Sequence, residues 1–70
     1  MAHRKGGSRS SREIIKMIEM DGWQLVKIEG SHHHFKHPVK SGKVTVAHPV
    51  KDVPIGTLKS IERGSGVKLR

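Results

Sequence analysis

Apolar positions recur along this chain in two different rhythms, and the switches between them mark the elements. Ile14, Ile15 and Ile18, with Met17 beside them, fall on one side of a 3.6-residue period. Ser10-Ser11-Arg12-Glu13 precedes them as a capping box, in which Ser10 caps the helix and Glu13 reaches back to it. The spacing predicts a helix over 11–20 that stops at Asp21-Gly22. Trp23 to Ile28 is short, apolar and β-prone, and reads as a strand that turns at Glu29-Gly30-Ser31. A second strand is expected over 32–37 and a turn at 39–42. A third strand over 43–47 follows from the alternation of Val44 and Val46 with Thr45.

His48-Pro49 breaks the sheet, and Asp52 and Pro54 mark the start of a second helix. Ile55, Leu58 and Ile61 form its apolar stripe, with Gly64 and Gly66 stopping it. The tail 67–70 is either a frayed end or a short extra strand. The order is α-β-β-β-α, an α+β fold in which a three-stranded antiparallel meander carries both amphipathic helices on one face. Residues 1–9 (MAHRKGGSR) are basic, glycine-rich and without periodicity, so they are expected to form a disordered arm ahead of one domain over 10–70.

Seventy residues without a cysteine leave room for one thin core and no disulfide or thiolate metal site, as in a reducing cytosol. No apolar run approaches the ~18 residues that cross a bilayer, so a soluble cytoplasmic protein is expected. Fourteen Lys/Arg against six Asp/Glu give a formal charge of +8. That excess calls for a polyanionic partner, nucleic acid before an acidic protein. Because the basic residues are spread along the chain, a membrane surface fits less well.

Four of the six histidines, His32, His33, His34 and His37, lie in one predicted strand. Side chains alternate between the faces of a strand, and Phe35 belongs to the core. His33 and His37 therefore share the helix side, while His32, His34 and Lys36 project from the open face. Three chemistries compete for such a strand. A native metal site lacks a neighbouring carboxylate or thiolate and matches no standard zinc spacing. Plain phosphate contact is the structural alternative. The third is metal-free, cofactor-free cleavage of RNA. There the ribose 2′-hydroxyl attacks its own phosphate, a histidine moves protons, and cations stabilise the developing charge. No phosphate-binding glycine loop, Ser-His-Asp set or carboxylate pair points to another enzyme class.

Asp21-Gly22-Trp23, Gly30-Ser31-His32-His33-His34-Phe35-Lys36-His37-Pro38, Val44-Thr45-Val46-Ala47-His48-Pro49 and Asp52-Val53-Pro54-Ile55-Gly56-Thr57-Leu58-Lys59-Ser60-Ile61 together resemble the HicA toxins. These are the RNA-cleaving halves of type II toxin–antitoxin pairs, and the resemblance covers about 10–67. It implies a double-stranded-RNA-binding-domain-like fold, an mRNA interferase activity and neutralisation by a HicB antitoxin, in a complex with that protein. It also implies that His32 is the catalytic histidine, with Gly30 and Ser31 forming the turn before it and His33 as second choice. His34, Lys36, Lys43 and His48 are candidate RNA contacts, and Lys27, Lys51 and Lys59 further phosphate contacts. Ala47 stands where the family often has proline, and the arm 1–9 is longer than the family's usual start. Trp23 is expected to plug the core, with base stacking as its alternative. A non-catalytic double-stranded-RNA-binding module, or a pure interaction protein that meets an acidic partner, would share the charge and the fold.

Overall fold

The structure is a computed structural model that describes residues 9–70. Helix α1 (Ser11–Met20) is followed by strands β1 (Gln24–Glu29), β2 (His32–Lys36) and β3 (Val44–Ala47), and then by helix α2 (Ile55–Ser65). The strands form one antiparallel sheet in the order β1-β2-β3. The α-β-β-β-α order is therefore the one that the hydrophobic rhythm predicts, and the fold is α+β.

The capping box forms as expected. Ser10 Oγ accepts the Glu13 amide at 3.2 Å, and Glu13 Oε1 accepts the Ser10 amide at 3.0 Å. Two amide donors that the first helical turn leaves over are thus satisfied. Ile14 and Ile18 of α1 and Leu58 and Ile61 of α2 bury against Phe35, Val44 and Val46 of the sheet, and Trp23, Val53 and Leu69 complete the core. Full burial of each such side chain is worth about 1.5–3 kcal/mol before chain entropy is counted. Trp23 does plug the core, and its Nε1 donates to the Ser65 carbonyl at 3.3 Å, which ties the start of β1 to the end of α2.

Beyond the helices lies β1. All six of its residues are exposed, and its partner register slips between Leu25 and Lys27, so that Val26 is an extra bulge residue. Because of that bulge, Leu25 lies opposite Phe35 and Ile28 opposite His33, both on the helix side though three residues apart.

Four expectations change. Arg9 belongs to the folded unit, not to an arm: its Nε donates to the Leu69 carbonyl at 2.8 Å, and its own carbonyl accepts the Val53 amide at 2.8 Å. The rest of the predicted arm, 1–8, lies outside the described residues. Helix α2 starts after Pro54 without any side-chain cap, so Asp52 plays no capping part. It also runs through Gly64 and ends at Gly66, whose φ of 73° is the left-handed C-cap conformation. Glycine inside a helix costs about 1 kcal/mol, and here the burial of Ile61 and Ser65 on either side outweighs it. The tail is neither frayed nor a strand. Leu69 is fully buried, its amide donates to Glu62 Oε2 at 2.7 Å, and Arg70 reaches the same carboxylate.

Candidate active site

Only two residues, Gly30 and Ser31, separate β1 from β2, and Gly30 takes a φ of 60°. Such a backbone costs an L side chain roughly 1–2 kcal/mol, so glycine suits the position. The short turn sets the register, with Glu29 opposite His32, Lys27 opposite His34 and, at the far end, Gln24 opposite Lys36. On the other side of β2, Ala47 lies opposite His32 and Thr45 opposite His34.

The open face is thus a small grid of polar side chains. The His32 side chain is exposed and makes no hydrogen bond among the described residues, and its neighbour Ala47 is too small to cover it. The predicted parity of the strand puts it on this face, with Phe35 buried on the other. Lys36, Lys27 and Lys43 are exposed as well.

His34 is on the same face but is not free. Its Nε2 lies 2.8 Å from Glu29 Oε1 and its Nδ1 2.9 Å from Thr45 Oγ1. Both ring nitrogens are engaged by protein, which leaves no lone pair or N–H for a phosphate in this arrangement. Lys27 Nζ lies 3.3 Å from the same Glu29 carboxylate. The hydrogen bonds from Lys27 and His34, with the Lys43 charge nearby, hold Glu29 below the ordinary carboxylate value. A carboxylate therefore does stand beside the histidine strand, contrary to the expectation from sequence. Its signal was there: a two-residue turn after Glu29 places that side chain across from His32. Among the described residues, no group of three or more His, Asp or Glu side chains could hold a metal ion.

The helix side of the same sheet end is built differently. The His33 ring meets the His48 ring edge-on, with centroids 5.1 Å apart at 85°. His33 Nδ1 is buried and has no hydrogen-bond partner. His48 donates its backbone N–H to the Ser31 carbonyl at 2.8 Å, and its Nδ1 lies 2.6 Å from Ser11 Oγ. Ser11 is buried at the first turn of α1 and also accepts the Val50 amide at 2.8 Å. No pattern in the sequence pairs residues 11 and 48; the contact exists because α1 and the segment after β3 meet at this end of the sheet.

His37 closes the opposite end of the sheet. Its Nε2 donates to the Asp21 carbonyl at 2.7 Å, and its Nδ1 accepts the amides of Val39 and Lys40, each at 3.0 Å. Edge-on contact with Trp23, at 5.3 Å, completes its surroundings. This histidine is a structural latch, far along the strand from His32.

The family model described as the HicA toxin of bacterial toxin–antitoxin matches residues 11–67, which takes in both helices, all three strands and every residue of the site. The chain belongs to the HicA toxin family. A search among curated proteins finds no match. The HicA match begins at the first helical residue, Ser11, and ends just past the C-cap of α2. Membership makes the protein the toxin component of a toxin–antitoxin system, and an antitoxin is accordingly its partner. No described helix is long and apolar enough to cross a membrane.

Proposed function

We propose that this HicA-family toxin is an endoribonuclease, an mRNA interferase of the cytoplasm, with His32 as its catalytic proton-transfer residue. The observation that carries the reading is the His32 ring, exposed and unbonded between Ala47 and Glu29 on a face that also presents Lys27, Lys36 and Lys43. A ribose carries its own nucleophile. His32 takes the 2′-hydroxyl proton, the lysines offset the charge that builds on the phosphate, and the product is a 2′,3′-cyclic phosphate. A positioned imidazole of this kind contributes about 10²–10⁴-fold. Gly30 and Ser31 keep His32 at the end of the strand, where a backbone too bulky for a cleft can reach it. His34, held by Glu29 and Thr45, serves as a fixed neighbour and not as a direct RNA contact in this reading.

A HicB-type antitoxin would silence this site most simply by covering His32 with an acidic surface. Opposite charge would also speed the encounter. Purified protein and the His32→Ala variant, each incubated with a long RNA in EDTA, test the proposal. Wild type is expected to cut and the variant, folded to the same thermal stability, to lose at least a hundredfold. Equal cleavage by both, or none by wild type, overturns it. Salt-sensitive RNA binding without products would instead favour the double-stranded-RNA-binding reading, which the same fold and charge support.

A further inference from the structure

The sheet has two edge strands, β1 and β3, and they are not alike. β1 carries the Val26 bulge and Lys27, both of which hinder a further strand from pairing there. β3 has no bulge, and its register against β2 is unbroken over Val44–Ala47. The bond from the His48 N–H to the Ser31 carbonyl marks those two residues as a bonding pair. Bonding and non-bonding pairs alternate along antiparallel strands, so His33 bonds Val46 and Phe35 bonds Val44. Thr45 and Ala47 fall at the positions between. Their N–H and C=O groups point away from β2, to the outer edge, and have no partner among the described residues.

On the helix side of that edge, two depressions follow one another between β3 and α2. The first, about 310 Å³, is lined by Lys43, Val44, Thr45, Ser60, Ile61 and Gly64. The second, about 110 Å³, lies against Val46, Val50, Val53 and Thr57, and Ile61 borders both. They adjoin Val44 and Val46, two residues apart, which is the spacing of side chains on one face of a strand. Lys43 is the charged residue of the two linings, and no carboxylate lines either. On the open face, Ala47 lies between the same edge and His32. Neighbouring strands run about 4.8 Å apart, so a strand added at β3 would lie about 10 Å from β2. A carboxylate side chain on it, opposite Ala47, can cross that gap over the alanine methyl and meet the His32 ring.

We propose that the partner antitoxin docks at β3, adding an extended acidic segment as a fourth strand. Its apolar side chains fill the two depressions, and a carboxylate passes over Ala47 to His32. Charge selects this occupant: a chain of +8 repels a second copy of itself and attracts an acidic strand. Main-chain bonds to Thr45 and Ala47 supply affinity, and the alternating side chains supply specificity. The docking depends only on membership of the toxin family, whereas the silencing of His32 rests on the endoribonuclease reading.

A short capped peptide that alternates glutamate and valine stands in for the segment, added to the full-length protein. At saturation, amide hydrogen exchange should slow about tenfold or more at Thr45 and Ala47, with β1 unchanged. Two N-methylated forms, one methylated on the valines and one on the glutamates, keep the charge. One of them, whichever turns its methylated amides to β3, should bind at least about tenfold more weakly. Ala47→Pro removes only an outward N–H, which an edge strand tolerates, and should weaken the plain peptide similarly. The plain peptide should also suppress RNA cleavage in proportion to its occupancy. Equal binding by the plain and both methylated peptides means attraction by charge alone and overturns the inference. So does unchanged exchange at Thr45 and Ala47. Slow exchange there before any peptide is added overturns it too, because the edge is then taken by the chain's own first residues or by a second copy. An occupied β3 with undiminished cleavage overturns the blocking of His32. Wild type that cuts no RNA overturns the endoribonuclease reading, and the exchange measurement still decides the docking.

Discussion

Leu69 stands one residue from the C-terminus, yet it is fully buried in the core, and this makes a demanding test of how the small domain is held together. Replacing it with alanine removes the side chain from a site that cannot easily collapse. The backbone on both sides is fixed, through its amide to Glu62, its carbonyl to Arg9 and the neighbouring Arg70 amide to Glu62. Leucine-to-alanine changes in such places cost about 2–5 kcal/mol, and a value near 3 is expected here. A folded unit of this size has roughly 4–10 kcal/mol in all, so the loss would be a large share. With a urea slope of about 1 kcal/mol per molar, the unfolding midpoint should fall by about 3 M. Leu25→Ala is the control, because Leu25 is 44% exposed on β1, and it should cost less than about 1 kcal/mol. Urea titrations followed by Trp23 fluorescence read both. If the Leu69 variant unfolds within about 0.5 M of the control, the tail is not part of the core and the reasoning is wrong.

Two glycines at the sheet ends separate strain from collision. Gly22 has a φ of 110°, and a Cβ there would lie 2.7 Å from His37 Nε2, whereas Gly30 has a φ of 60° with nothing within 4 Å. Gly30→Ala should therefore cost only about 1–2 kcal/mol, Gly22→Ala clearly more, and Gly30→Asn less than Gly30→Ala; thermal unfolding ranks them. Asp21, Glu29 and Glu62 all have carboxyls below their ordinary values, held there chiefly by Lys40, by Lys27 and by the Leu69 amide respectively. Their contribution to stability is present above the unfolded values, near 4, and is lost as the pH falls through the lower folded ones, so acid titration should show destabilisation below about pH 4 that Glu62→Gln reduces. Trp23→Phe removes the bond to the Ser65 carbonyl while keeping most of the ring, and a loss of roughly 1–2 kcal/mol in urea unfolding is expected.

What could be read from the chain and what could not divide along physical lines. Ser10 and Glu13 announce α1 because a capping box is local, and Phe35 orients β2 because a strand has only two faces. Alternation counted back from Phe35 was enough to predict that His32 faces outward. Contacts made by meeting elements were invisible. Nothing near Ser11 in the sequence mentions His48, and nothing near Thr45 mentions His34, since each pair depends on how the third strand and its following loop return. Gly64 misled for a related reason. An isolated glycine signals a helix end only when packing on either side is weak, and here Ile61 and Ser65 are both buried.

The tightness of the hairpin between Glu29 and His32 bears on how this protein can change over generations. Here a single inserted or deleted residue would shift the pairing by one, turning His33 and Phe35 outward and carrying His32 and His34 beneath the helices. Length at this corner is therefore under tighter constraint than composition, and indels there should be purged even where point changes survive.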